Sequence, residues 1–316
     1  MKDLLQRPMF NLSGERYLLI VIIVAPLLNF IFGISVDLYA PSVPAITSYF
    51  HTSEILAKQG FSSIMLGFCL GCLVLGPMMD DYGRRKVILI SLLFFILVSL
   101  LALEAGVIRQ LTTVRVLQGI AIAASSIGSR VLIFDNFKGD RYAIGIVYTS
   151  FAYAVGPIIA PFVGGWLQSL FGWQSIFIAY ASMGLFVFIL FFFFIKESKF
   201  EKKSFSLSTS IKEYWTLVCN KTFFSGGVIL GIAFFQFVSF SVLGTYFYSQ
   251  VMGLTSVNFG NSALLLGVTY LFSTLINRVL IPRFSIKKIC SFGFLLLLIA
   301  TLIYIFIALK FPVSES

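Results

Sequence analysis

The sequence predicts an all-α integral membrane protein, and three observations lead to that fold class: its composition, its mean hydropathy and the length of its apolar runs. Of its 316 residues, 59% are hydrophobic and only 11% are charged. The mean hydropathy is +0.98. The apolar residues gather in repeated runs of about 20, the length at which an α-helix crosses a bilayer core of about 30 Å. A water-soluble domain of this size would expose large apolar patches, so soluble fold classes are excluded.

Nine apolar runs are long enough to be membrane spans, and polar or charged segments separate them. The first run continues into Asp37 without the small-residue cleavage pattern of a signal peptide, which predicts a span that is retained. The predicted spans are 18–39, 60–79, 87–103, 110–134, 142–167, 174–195, 223–248, 260–281 and 289–309.

The basic residues fall almost entirely on one side of these spans. With the N-terminus in the cytoplasm, 18 of the 23 Lys and Arg residues lie in inner segments and three lie in outer segments. Cytoplasmic loops carry such an excess, so the asymmetry predicts a multi-pass protein with a cytoplasmic N-terminus. The formal net charge of +10 is explained by the loops, and no nucleic-acid partner is expected.

The longest inner segment is rich in Lys, Ser and Glu and divides the chain into three predicted parts. These are an N-terminal six-helix transmembrane bundle over 1–195, a cytoplasmic linker over 196–221 and a partial C-terminal bundle of about three helices over 222–316. The basic turn 81–86 has a weak echo in 283–288, 202 residues later. Two parallel repeats of that length are longer than this chain. Chance recurrence of basic aromatic turns also explains the echo, but not its agreement with the linker position.

Four segments follow one another along the first six spans. They are DLYAPSVP at 37–44, GPMMDDYGRRK at 76–86, RVLQG at 115–119 and GPIIAPFVGGW at 156–166. Together they resemble the major facilitator superfamily, and within it the proton-coupled drug-efflux branch of Bcr/CflA type. The last three segments are similar to the loop between helices 2 and 3, the helix 4 signature and the helix 5 antiporter signature. The resemblance implies a helical bundle of major facilitator type, with a complete N-terminal half and a partial C-terminal half around a central cavity.

The segment at 156–166 predicts a helix that bends. Small residues recur every four positions there and form a stripe that a neighbouring helix backbone can approach closely. Each proline removes a backbone donor and clashes with the preceding turn, which bends a helix. Packing alone also explains the glycines, so a static contact and a moving interface both remain open. The predicted hinge comprises Gly156, Pro157, Pro161, Gly164 and Gly165.

Arg115 lies several residues inside the fourth span, where an unpaired cation is expensive. We therefore expect it to face a cavity or to meet a carboxylate, although a snorkelled structural charge is an alternative. Gln118, one turn further on, shares its face. The resemblance implies that Arg115 lines the central cavity and couples proton movement to a substrate held near Gln118. Arg130 is interpreted as an interfacial anchor paired with Asp135 at the inner end of the same helix.

Asp37 is the acidic residue of the first span and the leading proton-site candidate. Partial burial between Val36 and Leu38 would favour a carboxyl group that loads and releases protons near neutral pH. The competing interpretation is a hydrated helix end that hydrogen-bonds the backbone before Pro41. Glu104, at the outer end of the third span, is expected to be solvated.

The charged segment at 76–86 is interpreted as a conformational loop formed by Gly76, Asp80, Gly83, Arg84 and Arg85. Its glycines are expected to allow tight turning, and Asp80 is expected to cap a helix or to pair with Arg84. The resemblance implies that this loop docks on a later helix of the second half. The sequence departs from the family pattern at residue 81, where an acid stands in place of a cation.

The seventh span predicts an aromatic wall of the substrate cavity. Gln236 and Phe237 are the candidate cavity residues, because aromatic rings beside an amide suit bulky amphipathic compounds. The alternative is that most of the aromatic residues in this span face lipid.

No other chemistry is indicated. The four cysteines and the single His51 lack metal-ligand spacing. The pair Cys69 and Cys72 lies inside an apolar span and is interpreted as a helix contact. Nothing resembles a P-loop, so neither ATP use nor any cofactor is expected. A membrane enzyme would need clustered His, Cys or acidic residues at one depth, and the chain is predicted not to be an enzyme.

The predicted function is proton-coupled efflux of small amphipathic drugs or toxic compounds. The expected partners are a small-molecule substrate, protons and the lipid bilayer, with the protein acting as a monomer. The alternative is a truncated, non-transporting remnant, or a half-transporter that needs a separately supplied C-terminal fragment.

Overall fold

Long helices occupy all nine positions of the predicted spans. The computed structural model describes residues 14–198, 207–246 and 256–310, and it contains no strand in those ranges. Two short helices lie between the long ones. In chain order the helices are α1 (Glu15–Asp37), α2 (Val43–Tyr49), α3 (Glu54–Tyr82), α4 (Arg84–Leu101), α5 (Ile108–Asn136), α6 (Gly139–Phe171), α7 (Gln174–Phe194), α8 (Leu207–Cys219), α9 (Lys221–Tyr246), α10 (Ser256–Leu280) and α11 (Ile286–Lys310).

Seven of these segments have the length and hydropathy of a membrane span within the described residues. They are α1 together with α2, then α3, α4, α5, α6, α7 and α11. Helix α9 contributes only the shorter apolar stretch Lys221–Ile232 there, and α10 is not among the seven. The prediction of nine spans is thus met by nine helices, of which seven reach the hydropathy of a span. Helix α8 lies inside the segment interpreted as a linker.

The core is formed by the helices of the N-terminal bundle, with α5 at its centre. Helix α5 packs against α1, α3 and α4, while α6 packs along α1 and α7 along α4. The C-terminal segment joins this bundle where its middle helix, α10, packs on α6. Large apolar side chains such as Leu66, Leu97 and Phe162 are exposed on the outer surface. That surface matches a hydrocarbon environment, where lipid covers apolar side chains.

Two pairs of helices approach closely because glycine faces a neighbouring backbone. A Cβ at Gly119 of α5 would lie 2.1 Å from the Ile64 carbonyl oxygen of α3. A Cβ at Gly156 of α6 would lie 2.6 Å from the carbonyl carbon of Gly33 in α1. Membrane helices use such small residues to gain van der Waals contact without a hydrophobic driving force. These contacts fix the positions of α3 and α6 relative to the centre of the bundle.

Gly156→Val is expected to lower the free energy of unfolding by about 2 kcal/mol, because the added methyl groups would press on the backbone of α1. The matched control is Gly165→Val in the same helix, since a Cβ at Gly165 has no neighbour within 4 Å. Thermal unfolding of both variants in detergent measures the difference. Equal midpoints for the two variants would contradict the close crossing of α1 and α6.

The charged segment at 76–86 is mostly helical, which corrects its interpretation as a loop. Residues 76–82 form the end of α3, and α4 begins directly at Arg84. Gly83 alone makes the turn, with φ +94°, a left-handed conformation that favours glycine. Gly76 lies inside the helix and has no turning role. The turn is therefore shorter than expected, and a single residue connects α3 to α4.

Candidate functional site

Arg115 is completely buried at the centre of the bundle, and backbone and side-chain oxygens surround its guanidinium. Nε donates to the Gly60 carbonyl oxygen at 3.3 Å, and Nη2 donates to the Ser35 carbonyl oxygen at 2.9 Å. Nη1 donates to Gln118 Oε1 at 3.1 Å. The planar guanidinium carries donors in fixed directions, so one side chain reaches α1, α3 and α5 together.

Two tyrosine rings complete the environment of this cation. The guanidinium carbon of Arg115 lies 4.9 Å from the ring centre of Tyr39 and 5.6 Å from that of Tyr180. Aromatic faces attract a desolvated cation. The Tyr180 hydroxyl donates to the same Ser35 carbonyl oxygen at 3.0 Å, and the Tyr39 hydroxyl donates to the Ala57 carbonyl oxygen at 2.9 Å. The tyrosines therefore hold the guanidinium in place.

A hydrogen-bonded relay extends from Arg115 through Gln118 to α4. Gln118 Nε2 donates to Ser99 Oγ at 2.8 Å, and Ser99 Oγ donates to the Phe95 carbonyl oxygen at 2.7 Å. All of these side chains are buried. We call Ser35, Tyr39, Ser99, Arg115, Gln118 and Tyr180 the Arg115 cluster. The polar side chains of this cluster have hydrogen-bond partners. A buried polar network makes a core rigid when its hydrogen bonds are formed in this way.

The surroundings of Arg115 differ from the expectation that it meets a carboxylate or open space. Within the described residues it forms no ion pair, and its side chain has no exposed area. Carbonyl dipoles and ring faces compensate its charge instead. Opening the bundle at this point would hydrate the guanidinium and release carbonyl acceptors, so the cluster responds to helix movement.

Asp37 is the last residue of α1 and is partly buried. Its carboxylate makes no hydrogen bond or ion pair with any described residue. At this end of α1, Gly164 of α6 packs on the Leu38 carbonyl oxygen and Tyr180 of α7 donates to the Ser35 carbonyl oxygen, so Asp37 lies near both helices. Ser35 and Tyr39 of the Arg115 cluster lie two residues before and two residues after Asp37, so the chain itself connects the cluster to the surroundings of Asp37.

The predicted hinge in α6 runs along the same end of α1. A Cβ at Gly164 would lie 2.5 Å from the Leu38 carbonyl oxygen, directly after Asp37. Ala160 between the glycines is fully buried. Pro157 and Pro161 both lie within the continuous helix α6. The stripe of small residues thus packs on α1, whereas Gly165 points away from it.

Reciprocal caps join the start of α4 to the end of α7. Arg85 is buried, and it donates from Nε to the Ile195 carbonyl oxygen at 2.7 Å and from Nη2 to the Phe192 carbonyl oxygen at 2.6 Å. Glu197 accepts from the backbone N–H of Arg84 at 2.9 Å and of Arg85 at 3.1 Å. A cation at a helix C-terminus and a carboxylate at an N-terminus both complement the helix dipole. The two helices therefore stabilise each other through opposite charges.

A second charged contact ties α5 to the same corner. Arg84 forms an ion pair with Asp135, and Ser198 Oγ donates to Asp135 Oδ2 at 2.6 Å. Arg84 Nη2 also lies 3.5 Å from Asp80 Oδ1, although Asp80 is largely exposed. The expected ion pair between Arg130 and Asp135 is wrong, because Asp135 turns to Arg84 and Arg130 is exposed.

Glu197 lies outside the spans, and burial raises the pKa of its carboxyl above the ordinary value for Glu. The backbone N–H donors of α4 lower the pKa, but their effect is smaller than that of burial. Glu197 consequently takes up a proton at a higher pH than a solvent-exposed Glu.

A cleft of about 230 Å³ lies between α6 and α10. Hydroxyl groups occur on both walls and an amide on the α10 wall, and the Arg278 guanidinium carbon lies 5.4 Å from the ring centre of Tyr148 beside it. Gln236 and Phe237 lie outside the described side chains, so their predicted position in a cavity stays a prediction. The cleft is lined by Ile146, Val147, Ser150, Tyr270, Ser273, Thr274 and Asn277.

Comparison with protein families identifies the family of this chain. The family model described as Major Facilitator Superfamily matches residues 27–313. The chain belongs to the Major Facilitator Superfamily. Members of this superfamily are membrane transporters and not enzymes, so the predicted fold class and the predicted absence of an enzymatic role are confirmed.

Relatives within the superfamily include a drug-resistance protein. A bicyclomycin resistance protein homolog of Haemophilus influenzae is 24% identical over 274 residues, which cover 86% of this chain and 69% of that protein. An uncharacterized MFS-type transporter, YdgK of Bacillus subtilis, is 30% identical over 264 residues, which cover 80% of this chain and 65% of that protein. The similarity to a bicyclomycin resistance protein homolog confirms the resemblance to the drug-efflux branch.

A solved structure shares the fold. The proton:xylose symporter XylE bound to 6-bromo-6-deoxy-D-glucose matches with a TM-score of 0.66 and 16% identity, covering 86% of this chain and 70% of that one. The chain spans about two thirds of the length of these relatives. The alternative of a non-transporting remnant has no support in these matches.

Sequence reasoning missed several residues that build the site. Tyr39, Tyr180 and Glu197 enter it only through tertiary contacts. A further interhelical link joins α1, α5 and α6, where Asn29 Nδ2 donates to the Thr149 carbonyl oxygen at 2.9 Å and Ser126 Oγ donates to Asn29 Oδ1 at 3.1 Å. The available signal was a polar side chain within an apolar run, since such residues seek partners on neighbouring helices.

Proposed function

We propose that this chain exports small amphipathic toxic compounds across the bacterial inner membrane in exchange for protons. The substrate class follows the name of the bicyclomycin resistance relative. The observation that carries the proposal is the fully buried Arg115 cluster, which lies near a carboxylate without a described partner at Asp37.

The coupling rests on the end of α1, where Asp37 lies two residues after Ser35 and two residues before Tyr39 of the Arg115 cluster. The Ser35 carbonyl oxygen accepts from both Tyr180 and Arg115, so a proton that removes the charge of Asp37 would act on the backbone that holds the guanidinium. Protonation thus favours one arrangement of the Arg115 cluster, and substrate contact with Arg115 or Gln118 favours the other. Two ligands with different affinities for two arrangements are coupled in this way.

Movement of the bundles would use contacts at two depths. The segment of α6 with Gly156, Pro157, Pro161, Gly164 and Gly165 acts as the hinge, and the Gly83 turn with Arg84 and Arg85 holds the inner ends of α4, α5 and α7. The cleft between α6 and α10 forms the inner mouth of the substrate path. Gln236 and Phe237 are proposed to complete the cavity from the C-terminal side, in the manner of alternating access about a midplane site.

We further propose a cytoplasmic N-terminus and a monomer that takes protons and a small molecule as its ligands. The basic loops support the orientation, since most Lys and Arg residues lie on one side of the spans. The contacts of Arg84 and Glu197 support a common side for the ends of α3, α5 and α7.

Asp37→Asn is expected to abolish substrate-driven proton movement while substrate binding is kept, because the amide cannot release a proton. The measurement is proton flux in proteoliposomes after addition of an amphipathic test drug such as chloramphenicol or ethidium. A decrease of at least about tenfold in the coupled flux is expected.

Glu104→Gln is the matched control, because Glu104 is an exposed acid at the outer end of the α4 segment. Its flux should equal that of the wild type. Unchanged flux in Asp37→Asn would remove Asp37 as the proton carrier, and flux absent from the wild type with every test drug would overturn the proposed export.

A further inference from the structure

Helix α3 contains a carbonyl group that its own backbone cannot satisfy. Pro77 lies within the helix, four residues after Leu73. An α-helical carbonyl accepts from the N–H four residues later, and proline has none. The Leu73 carbonyl oxygen is therefore left without its intrahelical donor, close to the charged end of α3.

A side chain from the linker supplies the missing donor. The Tyr214 hydroxyl of α8 donates to the Leu73 carbonyl oxygen at 3.0 Å. The same hydroxyl oxygen lies 3.6 Å from the position of a Cβ at Gly76, so it lies against the segment of α3 that contains Pro77. The contact joins residues 141 positions apart in the chain.

Tyr214 also stands out within its own helix. Among the described side chains of α8, at 212–219, it is the one that is not exposed, whereas Trp215 beside it is 70% exposed. Burial raises the pKa of the Tyr214 phenol, and nearby Cys72 and Asp80 act in the same direction. The hydroxyl consequently keeps its proton and remains a donor.

We propose that Tyr214 is a positioning residue whose hydroxyl replaces the N–H that Pro77 removes, and which ties the linker helix α8 to the inner half of α3. The turn at Gly83 follows directly on α3, so displacement of the linker is transmitted to the corner that holds Arg84 and Arg85. The hydrogen bond between Tyr214 and Leu73 does not depend on transport activity, whereas its effect on export rests on the proposed function.

The test asks whether the hydroxyl of Tyr214 is needed only when Pro77 is present. Nitroxide labels are attached at Asp81→Cys on α3 and Val218→Cys on α8, in the full chain with its own cysteines replaced by serine and reconstituted in nanodiscs. Pulsed electron spin resonance then gives the distance distribution between the labels for four proteins: the background, Tyr214→Phe, Pro77→Ala and the double variant. No substrate is present, so the result does not depend on export.

Tyr214→Phe is expected at least to double the width of the distribution when Pro77 is present, because the Leu73 carbonyl loses its donor. In the Pro77→Ala background the same change should have little effect, because alanine at that position would supply the backbone N–H. Tyr142→Phe is the control for loss of a tyrosine hydroxyl elsewhere. Equal broadening in both backgrounds, or no broadening in either, would overturn the proposal.

Discussion

Arg115→Lys is expected to abolish coupled export and to lower the free energy of unfolding by about 3 kcal/mol. The guanidinium serves acceptors on three helices at once, at Gly60, Ser35 and Gln118. An ammonium group is a point charge on a flexible stem and cannot reach all three positions in one geometry. Buried oxygens that lose their donors cost about 1–3 kcal/mol each. Retaining the charge therefore does not retain the function.

Proton flux in proteoliposomes and thermal unfolding in detergent measure the two effects on the same preparation. The matched control is Arg130→Lys, which makes the same exchange on an exposed position of α5. It should retain flux and stability. If Arg115→Lys retained both properties, the positive charge alone would be sufficient and the fixed geometry of the Arg115 cluster would have no role.

Arg85→Met is expected to have the second-largest effect, a decrease of about 3 kcal/mol in the free energy of unfolding. The start of α4 and the end of α7 are expected to separate in this variant. Methionine is similar in length and apolar, but it leaves the Ile195 and Phe192 carbonyl groups without the donors that Arg85 supplies. It also removes the buried cation beside the Glu197 carboxylate, so that Arg84 and Lys86 are the cations that remain near it. Removing one partner of a buried charged contact typically costs about 3–5 kcal/mol, and the exposed edge of this corner reduces the effect.

Hydrogen–deuterium exchange at the backbone amides of 192–197 reports the opening directly. Lys86→Met is the control, since it removes the adjacent cation and keeps the backbone N–H groups at the start of α4. Faster exchange in Arg85→Met alone is the expected pattern. Equal exchange in both variants would show that net charge, rather than capping of α7, stabilises this corner.

The sequence predicted the helices well because hydrophobic runs of fixed length are a local property. It also located the face of α6 that a neighbouring helix approaches closely, since small residues at a spacing of four need no partner to be recognised. That the neighbour is α1 came from the structure. The charged segment at 76–86 is mostly helical, whereas its charged residues predict a loop. The difference arises because the end of a membrane helix that enters water is charged and still helical.

The partners of charged residues were the least predictable part. Arg130 and Asp135 are near in sequence on one helix, yet Asp135 pairs with Arg84 from a different helix. The acceptors of Arg115 are mainly backbone carbonyl groups, which every residue possesses and which no sequence pattern distinguishes. Glu197 follows an apolar span and has no local feature that indicates a cap for α4.

The sequence by itself determined that this protein is a multi-helix membrane protein of the transporter superfamily, and it selected Arg115 and Asp37 as charges that need an explanation. The tertiary structure alone decided that Arg115 is held by carbonyl groups and tyrosine rings, and that Tyr180 shares with it the Ser35 carbonyl oxygen as an acceptor. The reason is physical. The cost of burying a charge depends on the charge itself and is visible in the sequence, whereas its compensation comes from groups on other helices, whose positions only the packed bundle defines.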